Sequence, residues 1–168
     1  MAISATTRPL RRGEVDGREY YFLAEEEFVR RIREGEFLEH VVYVSGQRYG
    51  TLRSEVERIL GVERSCVLEL ETQGAKEVVE RMPEAVSVFV QPPSFAELER
   101  RLRERATESS GEIGERLALA RRQMDEAEDF DHVVINDHLD RAVDALEAIV
   151  DLELAAGRNP AAGKLSAT

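Results

Sequence analysis

Arg8 and Arg11 stand on either side of Pro9, in a stretch closed by Gly13 and Gly17. A guanidinium fork matches phosphate oxygens two at a time, and the proline limits how far the two side chains can separate, so this pair could clamp a phosphate. The same residues also fit a solvated basic loop. A second basic group, Arg100, Arg101, Arg103 and Arg105, is interleaved with Glu97, Glu99 and Glu104. It reads either as the wet face of a helix or as a set that neutralises developing negative charge. Glu39, on an extended apolar segment, reads by itself as a solvated carboxylate. Cys66 is the only cysteine, so it forms no internal disulfide, and with Val67 and Leu68 beside it the expectation is a buried strand position and not a nucleophile.

The net charge narrows these options. At −11 over 168 residues, the chain repels a nucleic-acid backbone or an anionic membrane, so any phosphate site must be a local arginine cluster. With 42% hydrophobic residues, it has enough apolar side chain for one domain with its own core. No run approaches the length of a membrane span and no charged-then-apolar leader opens it, which makes a cytoplasmic location the default expectation.

Short apolar runs alternate with segments of helical period, the pattern of an α/β domain with a largely parallel sheet. Helices are predicted over Glu25–Glu34, with Phe28 and Ile32 on one face and Gly35 as the stop, and over Arg53–Leu60, Gln73–Arg81, Glu112–Ala127 and Leu139–Leu154. Strands are predicted over Phe37–Val44, turned by Ser45-Gly46, and over Ser65–Leu70, Val86–Val90 and His132–Ile135. After Pro92-Pro93, Ser94 is placed to cap a further helix, with Glu97 at the capping-box position. The polar stretch Thr107–Gly111 suits a mobile connection, and the tail from Ala155 onward is rich in Gly, Ala and Pro.

The stretch Ser4 to Phe22, of pattern S-x-T-T-R-P-x-R-x-G-E-x-x-G-x-x-Y-x-F, resembles the GMP-binding signature of guanylate kinases. The likeness continues through Gly35–Glu39, Arg48-Tyr49-Gly50-Thr51, Glu69 to Gly74, Pro92-Pro93-Ser94, Arg101 to Thr107 and Val134 to Asp137. It implies a P-loop-kinase-like parallel sheet flanked by helices, with a small GMP-binding subdomain at about residues 4–74 and a helical lid at about residues 100–117. The domain would span about residues 1–154 and be followed by a flexible tail at 155–168. By this resemblance Arg8, Arg11, Tyr20 and Tyr49 hold the GMP phosphate. Glu39 accepts from guanine N1 and the exocyclic amine, Ser4 and Thr51 supply hydroxyls to the base, and Glu69 and Glu71 complete the substrate site. Arg101, Arg105 and Arg116 stabilise the transferring phosphoryl group, and Asn136 lies near the adenine of ATP. The implied activity converts ATP and GMP to ADP and GDP with Mg²⁺ accompanying ATP, and no protein metal site.

Guanylate kinases open with a strand, a G-x-x-x-x-G-K-[ST] loop and a helix ahead of the S-x-T-T-R-P motif, and this chain begins inside the next strand. The expectation is therefore a missing first strand and phosphate loop, no bound cofactor, and weak or absent catalysis by this chain alone. Gly157 to Lys164 is the nearest match, but it has five residues between its glycines and Leu165 where a hydroxyl is required. Glu71 replaces the usual Asp, and Glu104 and Ala106 flank Arg105 where glycines are usual, which stiffens the lid. The alternatives are a non-catalytic module that binds GMP or a phosphopeptide, or a loop supplied by a separate polypeptide.

Overall fold

The computed structural model describes residues 1–105 and 110–157. The chain divides into two compact units, Met1–Ala85 and a second that begins at Val86.

The first unit holds β1 (Ala5–Thr6), β2 (Tyr21–Phe22), α1 (Glu25–Arg33), β3 (Phe37–Val42), β4 (Arg48–Leu52), α2 (Arg53–Leu60) and α3 (Thr72–Arg81). Its sheet runs β2-β1-β4-β3 and is mixed, where the alternating pattern had suggested a largely parallel one. Only β1 and β2 pair parallel, because β3 and β4 form a hairpin, and a short connection can join only antiparallel strands. The turn closes through Tyr43 N donating to Gln47 O at 2.8 Å, and Gly46 supplies the positive φ of 83° that the reversal needs.

Two apolar clusters meet at β3. Phe37 stacks on Phe28 of α1 at 4.4 Å between ring centroids and packs with Ala5 and Leu52. Its neighbour Leu38 joins Val56, Leu60, Val78 and Met82 from α2 and α3. The register slips between Phe37, which faces Leu52, and Glu39, which faces Thr51, so Leu38 is the extra residue of a bulge. Phe37, Leu38 and Glu39 are consequently all buried. Glu55 of α2, also buried, accepts from Ile3 N at 3.1 Å and from the Arg58 fork, fixing the segment that leads into β1.

The strand expected over Ser65–Leu70 does not form. Ala2 N donates to Val67 O at 2.9 Å. Val67, expected at a strand centre, is 55% exposed, while Cys66 and Leu68 are half-buried against the Leu38 cluster. An apolar run becomes a strand only where a neighbour supplies a ladder, and among the described residues this segment has a single rung.

The second unit contains β5 (Val88–Gln91), α4 (Phe95–Arg105), α5 (Ser110–Asp125), a 3₁₀ turn (Ala127–Asp129), β6 (His132–Ile135) and α6 (Leu139–Ala155). Here β5 and β6 pair parallel, Val88 opposite His132 through Gln91 opposite Ile135. Asp131 accepts from both the amide and the hydroxyl of Ser87, locking the start of the pair. His132 Nε2 lies 2.6 Å from Glu153 Oε1 and ties β6 to α6. Ser94 caps α4 as expected, accepting from Glu97 N at 3.2 Å. The reciprocal half of the capping box is absent, because the Glu97 carboxylate binds Arg100 and Arg101 instead. Of the connection expected at Thr107–Gly111, Ser110 and Gly111 already belong to α5; the rest, like the tail beyond residue 157, lies outside the described residues. None of the described helices is long and apolar enough to cross a membrane.

Phe28 is fully buried against Phe37, so Phe28→Ala is expected to cost about 3–5 kcal/mol. Urea unfolding monitored by circular dichroism checks this, and an unchanged midpoint would show that this stack does not hold α1 to the sheet.

Candidate functional site

The first unit encloses a cleft of about 280 Å³, near the lower bound of small-ligand pockets. Strand alternation builds one wall of it: Glu39 and Val41 of β3, and Tyr43 just past the end of that strand, all line the cleft. Ser4 and Tyr20 enter from the segments around β1 and β2, Tyr49 and Gly50 from β4, and Glu69 and Glu71 from the chain leading into α3.

Glu39 is the most unusual group in it, a carboxylate only 3% exposed. Burial pushes its pKa above the ordinary carboxylate range, and Thr51 opposes that push. Thr51 stands opposite Glu39 in register, and its Oγ1 is buried beside that carboxylate. A buried carboxylate next to a buried hydroxyl suits a ligand edge that offers hydrogen-bond donors.

The opposite end is aromatic and basic. Tyr20 meets Tyr49 edge-on at 6.0 Å, and Tyr43 meets Tyr49 at 6.2 Å. Burial raises the Tyr20 pKa, with Glu69 adding to the effect, so its phenol stays a donor. The Arg8 guanidinium sits 5.4 Å from the ring centroids of both Tyr20 and Phe22. It is not itself in the cleft wall: both its amino nitrogens bind Glu14, at 3.0 and 2.8 Å, and one also donates to Pro9 O at 2.7 Å. That bidentate bond raises the Arg8 pKa, and the Arg8 contact, together with a bond from Arg11 N, lowers that of Glu14. The Arg11 side chain is exposed.

The structure thus gathers Ser4, Tyr20, Glu39, Tyr49, Glu69 and Glu71 around one cleft. It sets Thr51 opposite Glu39 in register and Arg8 behind Tyr20. Glu14, Glu19 and Tyr43 are additional to that set. Tyr43 was legible from the two-residue period Glu39-Val41-Tyr43; Glu14 is a fixed position of the Ser4 to Phe22 pattern, in the loop where Gly13 has φ 90°, but its role as the partner of Arg8 was not legible there.

In the second unit Arg101 and Asn136 border a groove of about 180 Å³ with Val90, Pro92, Leu98 and Leu102. Arg101 donates to Glu97 Oε1 at 2.7 Å and to Asn136 O at 3.0 Å. Arg100 pairs with Glu97 and Glu104, and Arg103 with Glu99, so those two form the solvated, salt-bridged helix face. Arg116 lies half-buried on α5, and Arg105 ends α4 with a side chain outside the described residues.

The first unit thus carries a small cleft lined by carboxylates and by tyrosines backed by an arginine. The family model described as Guanylate kinase matches residues 1–153. The guanylate kinase of Synechococcus elongatus is 49% identical over 150 residues, covering 89% of this chain and 81% of that protein. That of Rubrobacter xylanophilus is 46% identical over 156 residues, covering 93% and 81%. The crystal structure of guanylate kinase from Anaplasma phagocytophilum superposes with a TM-score of 0.76 at 35% identity, covering 90% of this chain and 74% of that one. The chain belongs to the guanylate kinase family.

Because the folded-state pKa of Glu39 is raised, its contribution to stability is present below the unfolded-state pKa and is lost as pH rises through the folded one. At pH 7 the ionised carboxylate is a net cost. Glu39→Gln should therefore melt above the native protein at pH 7, with the gap closing as pH falls into the carboxylate range. Thermal melts across pH check this, and a gap that does not vary with pH would contradict it.

Proposed function

We propose that the first unit binds GMP as phosphoryl acceptor, in the family reaction that converts ATP and GMP to ADP and GDP. The observation that carries this reading is the mixed chemistry of one cleft: a carboxylate buried beside the Thr51 hydroxyl, together with phenols backed by a guanidinium. Guanine presents N1–H and the exocyclic amine side by side, and Glu39 would accept both, with Ser4 and Thr51 completing the base contacts. Adenine lacks that donor pair and would leave the buried carboxylate unmatched.

Tyr20 and Tyr49 would donate to the 5′-phosphate. Arg8 is held by Glu14, so its orientation is fixed and part of its charge is neutralised. Arg11, whose side chain is exposed, would reach the phosphate as the second arginine. Glu69 and Glu71 would lie along the nucleoside. In the transfer, a phosphate oxygen of GMP attacks the γ-phosphorus of ATP, and the bond to the bridging oxygen breaks, leaving its electrons on ADP. Arg101, Arg105 and Arg116 would neutralise the charge on the group in transit, and Asn136 would meet the adenine. These roles assign the GMP-binding region to about residues 4–74 and the lid to about residues 100–117, within a domain of about residues 1–154 and ahead of a tail at 155–168.

Mg²⁺ would arrive with ATP as part of that substrate. The 168 residues carry no G-x-x-x-x-G-K-[ST] stretch, so a polypeptide of these residues alone would lack the loop that cradles the triphosphate in such enzymes. GMP binding should then outlast turnover in it. A phosphopeptide fits less well, because Glu19, Glu39, Glu69 and Glu71 all line the cleft and repel an acidic segment.

Calorimetry with GMP, AMP and ribose 5-phosphate tests the assignment. GMP should bind and AMP should not; Glu39→Gln should weaken GMP by about 10- to 100-fold while leaving ribose 5-phosphate unchanged. Arg11→Ala should weaken both phosphates by about 10-fold. Equal affinity for GMP and AMP would sink the base assignment, and brisk GMP-dependent ADP release by the 168-residue polypeptide would sink the claim about turnover.

A further inference from the structure

Gly74 is the third residue of α3, buried, with no positive φ to account for it. Glycine is disfavoured inside a helix relative to alanine, so its presence there calls for a physical reason. The reason is the neighbouring Glu39 side chain. A methyl placed on Gly74 would stand 2.6 Å from Glu39 Oε2, 3.2 Å from its Cδ and 3.6 Å from its Cγ. Gly114 of α5 makes the contrast, because a methyl there meets nothing within 4 Å.

Gly50 shows what a different kind of close approach looks like. A methyl on it would strike Glu39 O at 2.7 Å, the Phe37 ring at 2.9 Å and His40 Cβ at 3.0 Å. Backbone and packed ring cannot give way there without opening the β3–β4 pair. At Gly74 the atoms struck are the far end of one side chain, so what moves is the carboxylate and not the helix or the sheet. Gly50 admits the Glu39 backbone and Gly74 admits its carboxylate.

We infer that Gly74 is a specificity-determining position: having no side chain, it leaves the space in which Glu39 faces the donor edge of a purine carrying a ring N–H and an exocyclic amine side by side. This rests on the GMP reading above. Adding a methyl pushes the carboxylate off that edge and leaves the phosphate contacts untouched.

The test is Gly74→Ala with three readouts. Calorimetry should show GMP weakened by about 10-fold or more, ribose 5-phosphate unchanged, and less than about a twofold further effect of Gly74→Ala on GMP in a Glu39→Ala background. Thermal melting should be no lower than native, alanine being the better helix former. In the unliganded protein, an NMR titration of the Glu39 carboxyl should shift its midpoint relative to native. Native-like GMP affinity, equal loss of ribose 5-phosphate, or an unmoved Glu39 titration would each overturn the inference. A shifted titration in a protein whose native form ignores GMP supports the steric contact and removes the GMP reading instead. Should Gly74→Ala fail to fold, recovery of folding by adding Glu39→Asp, shorter by one methylene, identifies the same contact, and no recovery refutes it.

Discussion

The cleft of the first unit depends on keeping one carboxylate buried. Glu39 follows Phe37 and Leu38 in β3, and those two side chains anchor separate apolar clusters, one against α1 and one against α2 and α3. The bulge at Leu38 lets three consecutive residues be buried, which strict alternation along a half-exposed strand would forbid. The unfavourable desolvation of Glu39 is thus imposed by two cores that its neighbours stabilise. Sites of this kind are less stable than they could be because their chemistry requires a group the fold would rather neutralise.

Helices were legible in the sequence because their signals are local. Phe28 and Ile32 mark one face of α1, Ser94 caps α4, and the period through Leu139–Leu154 gives α6 to within a residue. Strands were legible only where a partner exists. Val88–Gln91 and His132–Ile135 pair and form, whereas Ser65–Leu70, equally apolar at its centre, has one rung and stays irregular. The two-residue strands β1 and β2 lie within or beside the polar, arginine-bearing stretch, and no periodicity can be read in two residues. The mixed sheet escaped the sequence pattern for the same reason: strand direction is set by which strands pair, a non-local fact.

The site was legible as a motif more than as chemistry. Read one at a time, Glu39 looks like a solvated carboxylate and Arg8 like a loop cation, and both readings fail because burial is a tertiary property. The bland reading did hold elsewhere: Arg100 and Arg103 form the wet, ion-paired face of α4. Arg101, next to Arg100 and two residues from Arg103, reaches the Asn136 carbonyl as well as Glu97, and that second bond separates it from them.

Arginine in this chain is seldom left as a bare charge. Glu14 grips Arg8 in a bidentate fork, carboxylates hold Arg30, Arg58 and Arg100 in the same manner, and Arg31 and Arg48 each bond a glutamate through Nε. In an acidic protein this is expected, since acidic side chains outnumber basic ones. The consequence for recognition is that orientation and charge are separable. Glu14 sacrifices some of the attraction of Arg8 for a phosphate, but it fixes the guanidinium plane beside Tyr20, so less side-chain entropy remains to be lost when a ligand arrives. Affinity in such a cleft comes from groups already in place, the buried Glu39 among them, and the net charge of the molecule contributes little to it.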